Sequence, residues 1–387
     1  MGLRIRDFAA SFGPAWIVMM TNVDAPSVIT AAATGALYDY GLIWLILLLT
    51  IPLFFIQEAS GRIGVVTRKG LGEIVHENYS KNVALAAAVP MALTDLLTYV
   101  AEYMGIAIGM QILGIPPYIS IPTAFLLHLL LVYEQRYAVV ESVLLGVSGV
   151  LMISYVASLI VRGVGPYSPF YFSNHMAFLF LVAANGGALI TPCMPFYQAS
   201  ATAEKNAGSP VASRVETLLG AVVSECLIVV VVMVSAGLDT TNVTSPDALS
   251  AGLRIIAGEF SPWLFGIGLV AAGFLALTVI SLGSAWGVVE ALGLPRNRAF
   301  RIYLIESLPA VVFALLASSS LVNSILSLMI VFVFILIAPG VMMGRIASDE
   351  TVMGKNVSSL PWKFAYWASL IFVVSLGLIF VISSIRQ

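Results

Sequence analysis

The chain has 387 residues, of which 60% are hydrophobic and only 10% are charged, and its formal net charge is −2. A mean hydropathy of +1.00 excludes a water-soluble globular domain. The small net charge gives no indication of nucleic-acid binding. Apolar runs of about 18 residues or more recur along the chain, which predicts a polytopic helical membrane protein.

We predict eleven membrane-spanning helices from these runs. They lie near residues 11–37, 41–66, 83–114, 117–134, 138–162, 175–203, 213–237, 261–293, 302–319, 320–344 and 362–384. With a cytoplasmic N-terminus, fifteen Lys and Arg residues fall in inside segments and three in outside segments. The positive-inside rule therefore predicts an integral protein of the cell (inner) membrane with its N-terminus in the cytoplasm.

The first span is interrupted at residues 21–27, which read TNVDAPS. Because Pro26 breaks a helix, backbone carbonyls near Ala25 lose their helical partners. A carboxylate within a bilayer costs roughly +3 kcal/mol on insertion scales unless it is paired, and this span contains no Lys or Arg. We therefore predict that Asp24 holds a cation or a proton, with the Ser27 hydroxyl as a hard oxygen ligand. The alternative is that a protonated Asp24 caps the half-helix that begins near Ser27.

The second and third spans contain further acids. Glu58 lies one turn before Arg62, which predicts a local ion pair at the inner end of the second span. Asp95 and Glu102 are seven residues apart in the third span, so both fall on one helix face. This stripe indicates a proton or ion pathway; the alternative is that the two acids pair with polar groups on neighbouring helices.

The sixth span is interrupted at residues 191–195, which read TPCMP. Its two prolines free the carbonyls of the preceding turn, including that of Ala188, and Thr191 adds a hydroxyl. The sulfur atoms of Cys193 and Met194 are soft ligands that a soft metal would use, although the commoner role of both residue types is packing.

Two later spans carry isolated polar residues. Glu225 in the seventh span joins Glu102, Asp95 and Cys193 as a candidate for an ion or proton pathway. Asn323 in the tenth span is either a late ligand or a helix–helix hydrogen-bonding residue. The two cysteines lie in different spans, so we expect no structural disulfide.

The order of spans predicts a single transmembrane transporter domain over residues 1–387 that contains an internal repeat. Residues 1–162 and 175–344 form two five-span units, and residues 362–384 form an eleventh span. Because five is odd, the second unit enters the membrane from the opposite side, which makes an inverted repeat. Each unit opens with a broken span, and such matched breaks indicate a substrate site at the midplane.

The short loops carry none of the HExxH, GxSxG or P-loop spacings of common enzymes. We therefore predict a transporter and not an enzyme, with no cofactor apart from the transported ion. The implied partners are the lipid bilayer and that ion, with no nucleic acid and no obligate protein partner.

Four stretches together resemble the NRAMP divalent-metal transporters, and the similarity runs over nearly the whole chain. They are Gly13-Pro14 followed by the Asp24 break, then QEASGRIGVVT at 57–67, AEYMGIA at 101–107 and GALITPC at 187–193. The resemblance implies an all-α membrane protein of leucine-transporter-like fold. It also implies alternating access and a metal site made of Asp24, Ser27, Thr191 and the carbonyls of Ala25 and Ala188. Gln57 and Asn323 stand at positions of secondary ligands.

Three departures from the family pattern bear on the ion. Ser27 stands where the family has a metal-binding Asn, Thr191 replaces its Met, and Cys193 replaces its His. The chain thus resembles a divergent, NRAMP-related magnesium-transporter-like branch. Loss of the thioether favours a hard ion such as Mg²⁺, with Mn²⁺ retained as a candidate. Loss of the His predicts weak or absent proton coupling.

The sequence therefore predicts import of Mg²⁺ or Mn²⁺ through a site between the first and sixth helices. Two alternatives remain open. The same fold carries amino acids and other organic substrates, in which case Asp24 would meet an amine. The second alternative is a structural or sensory membrane protein in which the breaks no longer have a function.

Overall fold

The computed structural model describes residues 13–79, 81–134, 137–191, 193–205, 209–238 and 246–386. These ranges are helical and contain no strand, as predicted. The helices of the first half are α1 (Pro14–Thr21), α2 (Ala25–Tyr38), α3 (Ile43–Thr67), α4 (Leu71–Asn78), α5 (Lys81–Ile112), α6 (Pro117–Glu134) and α7 (Tyr137–Arg162). Those of the second half are α8 (Met176–Ala188), α9 (Met194–Lys205), α10 (Pro210–Ser235), α11 (Ser261–Ala291), α12 (Ala299–Leu316), α13 (Leu321–Ile335), α14 (Ile337–Ile346) and α15 (Leu360–Ile385). Short helical turns connect several of these elements.

The helices agree with the predicted spans. Eight helical segments of the described chain are long and apolar enough to cross a bilayer, with α13 and α14 forming one of them. The shorter apolar helix α6 and the two interrupted pairs, α1–α2 and α8–α9, account for the remaining predicted spans. Large apolar side chains on the outer helices are exposed, among them Ile153, Ile160, Phe364 and Ile371. Such a surface requires lipid, so the chain is an integral membrane protein.

The first interruption falls where predicted, at the middle of the first span. The Thr21 hydroxyl donates to the carbonyl of Val18 at 2.8 Å and closes the end of α1. Four residues later α2 begins, with Asp24 as its N-cap and Pro26 in its first turn. Proline suits that position because its missing N–H would have no helical partner there. The first span is therefore two half-helices separated by a short extended segment.

The second interruption separates α8, which ends at Ala188, from α9, which begins at Met194. Pro192, which the sequence predicts to break this span, lies outside the described residues. Close packing fixes the end of α8, because a methyl group added to Gly187 would collide with the backbone carbonyl of Met329 on α13. Gly187 therefore lets α8 approach α13 and sets the position of the second break.

An ion cluster joins the helices at one end of the bundle. The guanidinium of Arg62 donates to Glu58 through Nε at 3.1 Å, which confirms the predicted local pair. Arg214 of α10 donates to the same carboxylate at 2.9 Å. Arg62 also donates to the carbonyl of Asn356 and to the hydroxyl of Ser358, both at 2.7 Å. One buried carboxylate thus connects α3, α10 and the segment that leads into α15.

Candidate metal site

The two breaks meet in the interior of the protein. The hydroxyl of Ser27, in the first break, donates to the carbonyl of Ala188, at the end of α8, at 3.3 Å. The backbone N–H of Ser27 donates to the Asp24 carboxylate at 2.8 Å. Asp24 and Ser27 are only 3% and 5% exposed. The structure therefore brings three of the predicted ligands together, from positions more than 160 residues apart in sequence.

Asp24 caps α2, as the alternative prediction stated, and capping does not use up its carboxylate. The Ser27 N–H occupies one oxygen, Oδ1. A carboxylate has two oxygens and about four acceptor positions, so acceptor capacity remains for a cation. Capping also fixes the rotamer of Asp24. The same hydrogen bond that begins the helix therefore orients the ligand.

One small cavity lies on the α1 and α9 side of the first break. It has a volume of about 10 Å³, and its lining includes Thr21, Asp24, Thr191, Cys193 and Met194. Thr191 therefore lines the same cavity as Asp24, and Cys193 and Met194 add a thiol and a thioether to that lining. The Asp24 cavity, as we name it, thus offers hard and soft donors together.

A second small cavity lies on the other side of the same break. It has a volume of about 20 Å³, and its polar lining comprises Asn22, Ser27, Asn185, Ala188 and Glu225. Such a volume holds about one water molecule or one largely dehydrated ion. Glu225, predicted as a pathway residue, therefore lies next to the Ser27–Ala188 contact and not at a distance from it.

Glu102 faces Asp24 from α5, close enough for the charges of the two carboxyl groups to influence each other. Glu102 is fully buried, and neither of its side-chain oxygens has a hydrogen-bond partner that meets standard geometry. The approach of α5 depends on Gly105, where a methyl group would lie 2.6 Å from the Cβ of Ala25. Asp95, one heptad earlier on α5, is buried as well. Asp95 lies near enough to Cys193 for its charge to influence the thiol. Helix α5 therefore places one acid near each break.

Gln57 is buried on α3, and both polar atoms of its amide lack hydrogen-bond partners. Nearby on the same helix, the Ser60 hydroxyl donates to the carbonyl of Pro195, just beyond the second break. An unpaired buried amide is costly, so Gln57 has capacity for a ligand. The predicted secondary role of Gln57 is compatible with this environment.

Two predicted ligands are placed differently. Ala25 is the first residue of α2, where a carbonyl already belongs to the helical ladder, so the freed carbonyl of this region is that of Ala188. Asn323 is exposed and lines a separate groove between α5, α12 and α13, together with Met104 and Phe313. The structure does not bring Asn323 to the breaks in this conformation.

Sequence reasoning missed two amides and one anchoring acid. Asn22 and Asn185 line the second cavity, and a polar residue within an apolar helix was an available signal for both. Glu216 of α10 accepts the backbone N–H groups of Gly13 and Trp16 at 2.6 and 2.9 Å. This carboxylate anchors the start of α1, where helical N–H groups have no partner within the helix.

The donors around the first break are the Asp24 and Glu225 carboxylates, neutral oxygens and, in the Asp24 cavity, the sulfur atoms of Cys193 and Met194. Among the described residues, no group of three or more His, Cys, Asp or Glu side chains could hold a metal ion. Both cysteines are free, Cys193 buried and Cys226 exposed, in agreement with the expected absence of a disulfide. A site with one carboxylate, hydroxyls and carbonyls suits a cation that keeps some of its water, as Mg²⁺ does.

Comparison with known proteins decides the family. The family model described as natural resistance-associated macrophage protein-like, NRAMP, matches residues 15–383. The chain belongs to the NRAMP family. The predicted membership of the NRAMP family is thereby confirmed.

Individual NRAMP relatives and related folds agree with this assignment. The divalent metal cation transporter MntH of Bacillus subtilis is 25% identical over 402 residues, covering 97% of this chain and 92% of that protein. A crystal structure of the Eremococcus coleocola manganese transporter superposes with a TM-score of 0.76 at 17% identity, covering 98% of this chain and 88% of that one. MhsT, solved in complex with L-phenylalanine, superposes with a TM-score of 0.56 at 13% identity, covering 96% of this chain and 97% of that one. The structural matches show that this NRAMP chain has the leucine-transporter-like fold.

Proposed function

We propose that this NRAMP protein is a secondary transporter that imports a divalent cation, Mg²⁺ or Mn²⁺, by alternating access. The ion binds between the two broken helices, and Asp24 supplies the charge. The protein lies in the inner membrane with its N-terminus in the cytoplasm, in keeping with the positive-inside bias. The divalent-cation function of MntH of Bacillus subtilis, a relative over nearly the whole chain, supports this proposal.

The observation that carries the proposal is the contact between the breaks. The Ser27 hydroxyl reaches the Ala188 carbonyl at 3.3 Å, directly beside the Asp24 carboxylate. Half-helices that end at a buried midplane point place backbone dipoles and freed carbonyls around an ion. No arginine or lysine forms a salt bridge with Asp24 in the described chain. A cation is the partner that compensates its burial.

The size of the cavities supports a metal ion rather than an organic substrate. The two cavities beside the first break have volumes of about 10 and 20 Å³. Cavities of this size hold about one water molecule or one ion. Neither has room for an amino acid such as the L-phenylalanine bound to MhsT.

Uptake by the purified protein in liposomes tests the function. We expect Mg²⁺ or Mn²⁺ to accumulate in protein-containing vesicles above the level in empty vesicles, and radiolabelled amino acids not to accumulate. Accumulation of an amino acid without metal uptake would support the organic-substrate alternative. Absence of any uptake or metal binding would support a non-transporting role.

Replacing Thr191 with Met tests the choice of ion. Thr191→Met adds a thioether to the Asp24 cavity, which already contains Cys193 and Met194. Since soft ligands select soft ions, we expect the Cd²⁺:Mg²⁺ uptake ratio in competition to rise. Ala201→Met, a matched substitution on α9 outside the lining of that cavity, should leave the ratio unchanged. An unaltered ratio in Thr191→Met would mean that Thr191 does not face the ion.

Replacing Glu102 with Gln tests proton coupling. Because Glu102 is buried and faces Asp24, it is the acid best placed to exchange a proton with the site. With Cys193 in the place of the family His, we expect no acidification of the vesicle lumen during metal uptake. Glu102→Gln should therefore retain metal-driven uptake. Strong acidification that Glu102→Gln abolishes would instead show a proton symporter.

A further inference from the structure

The second cavity beside the first break differs from the Asp24 cavity in the chemistry of its donors. Its polar lining consists of Asn22, Ser27, Asn185, Ala188 and Glu225, and the rest of its lining is apolar. Every polar lining group offers oxygen or amide atoms, and none offers sulfur. The Asp24 cavity, by contrast, contains both Cys193 and Met194.

Two observations show unused ligand capacity in this second cavity. The Oδ1 atom of Asn22 has no hydrogen-bond partner, although Asn22 is only 1% exposed. The Nδ2 atom of the same amide donates to Glu225 at 3.4 Å, which places an unpaired acceptor beside a carboxylate. Buried polar atoms are normally paired, so the unpaired Oδ1 of Asn22 has capacity for a cation or a donor in this cavity.

The neighbouring groups are held in acceptor roles. The Nδ2 atom of Asn185 donates to the Thr34 hydroxyl and to the Leu181 carbonyl, both at 2.8 Å, which leaves its Oδ1 as an acceptor. The Ala188 carbonyl accepts the Ser27 hydroxyl, and carbonyl oxygens have a second lone pair. One carboxylate surrounded by neutral oxygens is the ligand set of a hard cation.

We propose that the cavity between Asn22, Asn185 and Glu225 is a second binding station for a hard divalent cation, separate from Asp24 and adjacent to it. The inference rests on the proposed function, because both stations lie on one ion path. Ser27 lies between them: its N–H donates to the Asp24 carboxylate, and its side chain lines the second cavity.

The position of this station gives an order along the path. Its apolar lining includes Ile46 and Leu49, near the start of α3, and Ile228, in the second half of α10. The Asp24 cavity is instead lined by Met194 and Tyr197 at the start of α9. With the N-terminus in the cytoplasm, the Glu225 station is on the outer side. An imported ion meets Glu225 before Asp24, and an all-oxygen station at that point selects for hard ions.

Titration calorimetry of the full-length protein with Mg²⁺ alone and with Cd²⁺ alone tests the second station. We expect Glu225→Gln to weaken Mg²⁺ binding by roughly tenfold or more, as loss of one charged contact does. Cd²⁺ binding should weaken less, because sulfur ligands remain in the Asp24 cavity. Glu259→Gln, which removes an exposed carboxylate outside the bundle core, should leave both affinities unchanged.

Two outcomes of this titration would overturn the second station. One is that the Mg²⁺ affinity of Glu225→Gln lies within twofold of that of Glu259→Gln. The other is that Glu225→Gln loses Mg²⁺ and Cd²⁺ affinity equally and also melts at a lower temperature. If Glu225→Gln does not fold, Asn22→Ala keeps the carboxylate and removes only the unpaired Oδ1. We expect Asn22→Ala to lower Mg²⁺ affinity more than Cd²⁺ affinity. Equal losses of the two affinities, or no loss of either, would contradict the proposal. A wild-type protein that binds no divalent ion would overturn the proposed function itself, whereas normal metal uptake by Glu225→Gln would overturn only this inference.

Discussion

Asp24→Asn should abolish measurable high-affinity metal binding while the protein still folds. The substitution removes the one charge assigned to the primary site and leaves its shape. A charged contact of this kind contributes about 2–3 kcal/mol, or roughly 30- to 150-fold in affinity. Asn is as good an N-cap as Asp, so its side chain can still accept the Ser27 N–H and begin α2. We therefore expect the metal affinity, measured by calorimetry, to fall while the melting temperature stays near that of the wild type.

The matched control for this substitution is Glu259→Gln, which also removes one negative charge but at an exposed position. We expect its metal affinity to equal that of the wild type. A small general effect of net charge would appear in both variants, whereas a ligand effect would appear only in Asp24→Asn. Near-unchanged affinity in Asp24→Asn would remove this residue from the site.

Glu58→Gln should destabilise the protein more than any other charge removal outside the metal path. Glu58 is 2% exposed and holds both Arg62 and Arg214. Without its charge, two guanidinium groups face each other and Arg62 remains buried with no counter-ion. Breaking a buried pair in this way costs about 3–5 kcal/mol, and the partial exposure of Arg214 places the effect toward the lower figure. We expect a clearly lower midpoint of thermal unfolding, measured by tryptophan fluorescence of the protein in detergent.

The exposed pair between Lys69 and Glu77 supplies the control for Glu58. Both side chains of that pair are more than one-third exposed. Water screens such pairs, so Glu77→Gln should not measurably change the melting temperature. Tryptophan is a suitable probe because Trp362 lies 4.0 Å from the Arg214 guanidinium. If the two variants melt alike, the Glu58 cluster does not hold α3, α10 and α15 together.

The sequence was sufficient for the breaks because their residue types tolerate few environments. A proline and an unpaired carboxylate inside an apolar run are compatible only with an interrupted helix that lines a polar site. The predicted inverted order of the spans then implies that the two breaks meet near the midplane. These two constraints together predict that Asp24, Ser27 and the Ala188 carbonyl lie close to one another.

The remaining contacts depend on helix rotation and tilt, which the sequence pattern does not determine. Sequence reasoning found the pair between Glu58 and Arg62 because the residues are one turn apart, but Arg214 lies 156 positions from Glu58. Likewise, Asn323 lies on an exposed face of α13 and does not reach the breaks. Asn185 on α8, in contrast, lines the second cavity beside the first break. Such choices are made by packing between neighbouring helices, as at Gly187 and Met329.

The central claim is that a divalent cation binds where the two broken helices meet. Anomalous diffraction from crystals of the full chain grown with Mn²⁺ tests it most directly, because the signal locates the ion without assuming its ligands. We predict a Mn²⁺ peak in contact with the Asp24 carboxylate or in the adjoining cavity between Ser27, Ala188 and Glu225. Mn²⁺ bound only elsewhere, in crystals of protein that takes up Mn²⁺ in liposomes, would contradict the claim.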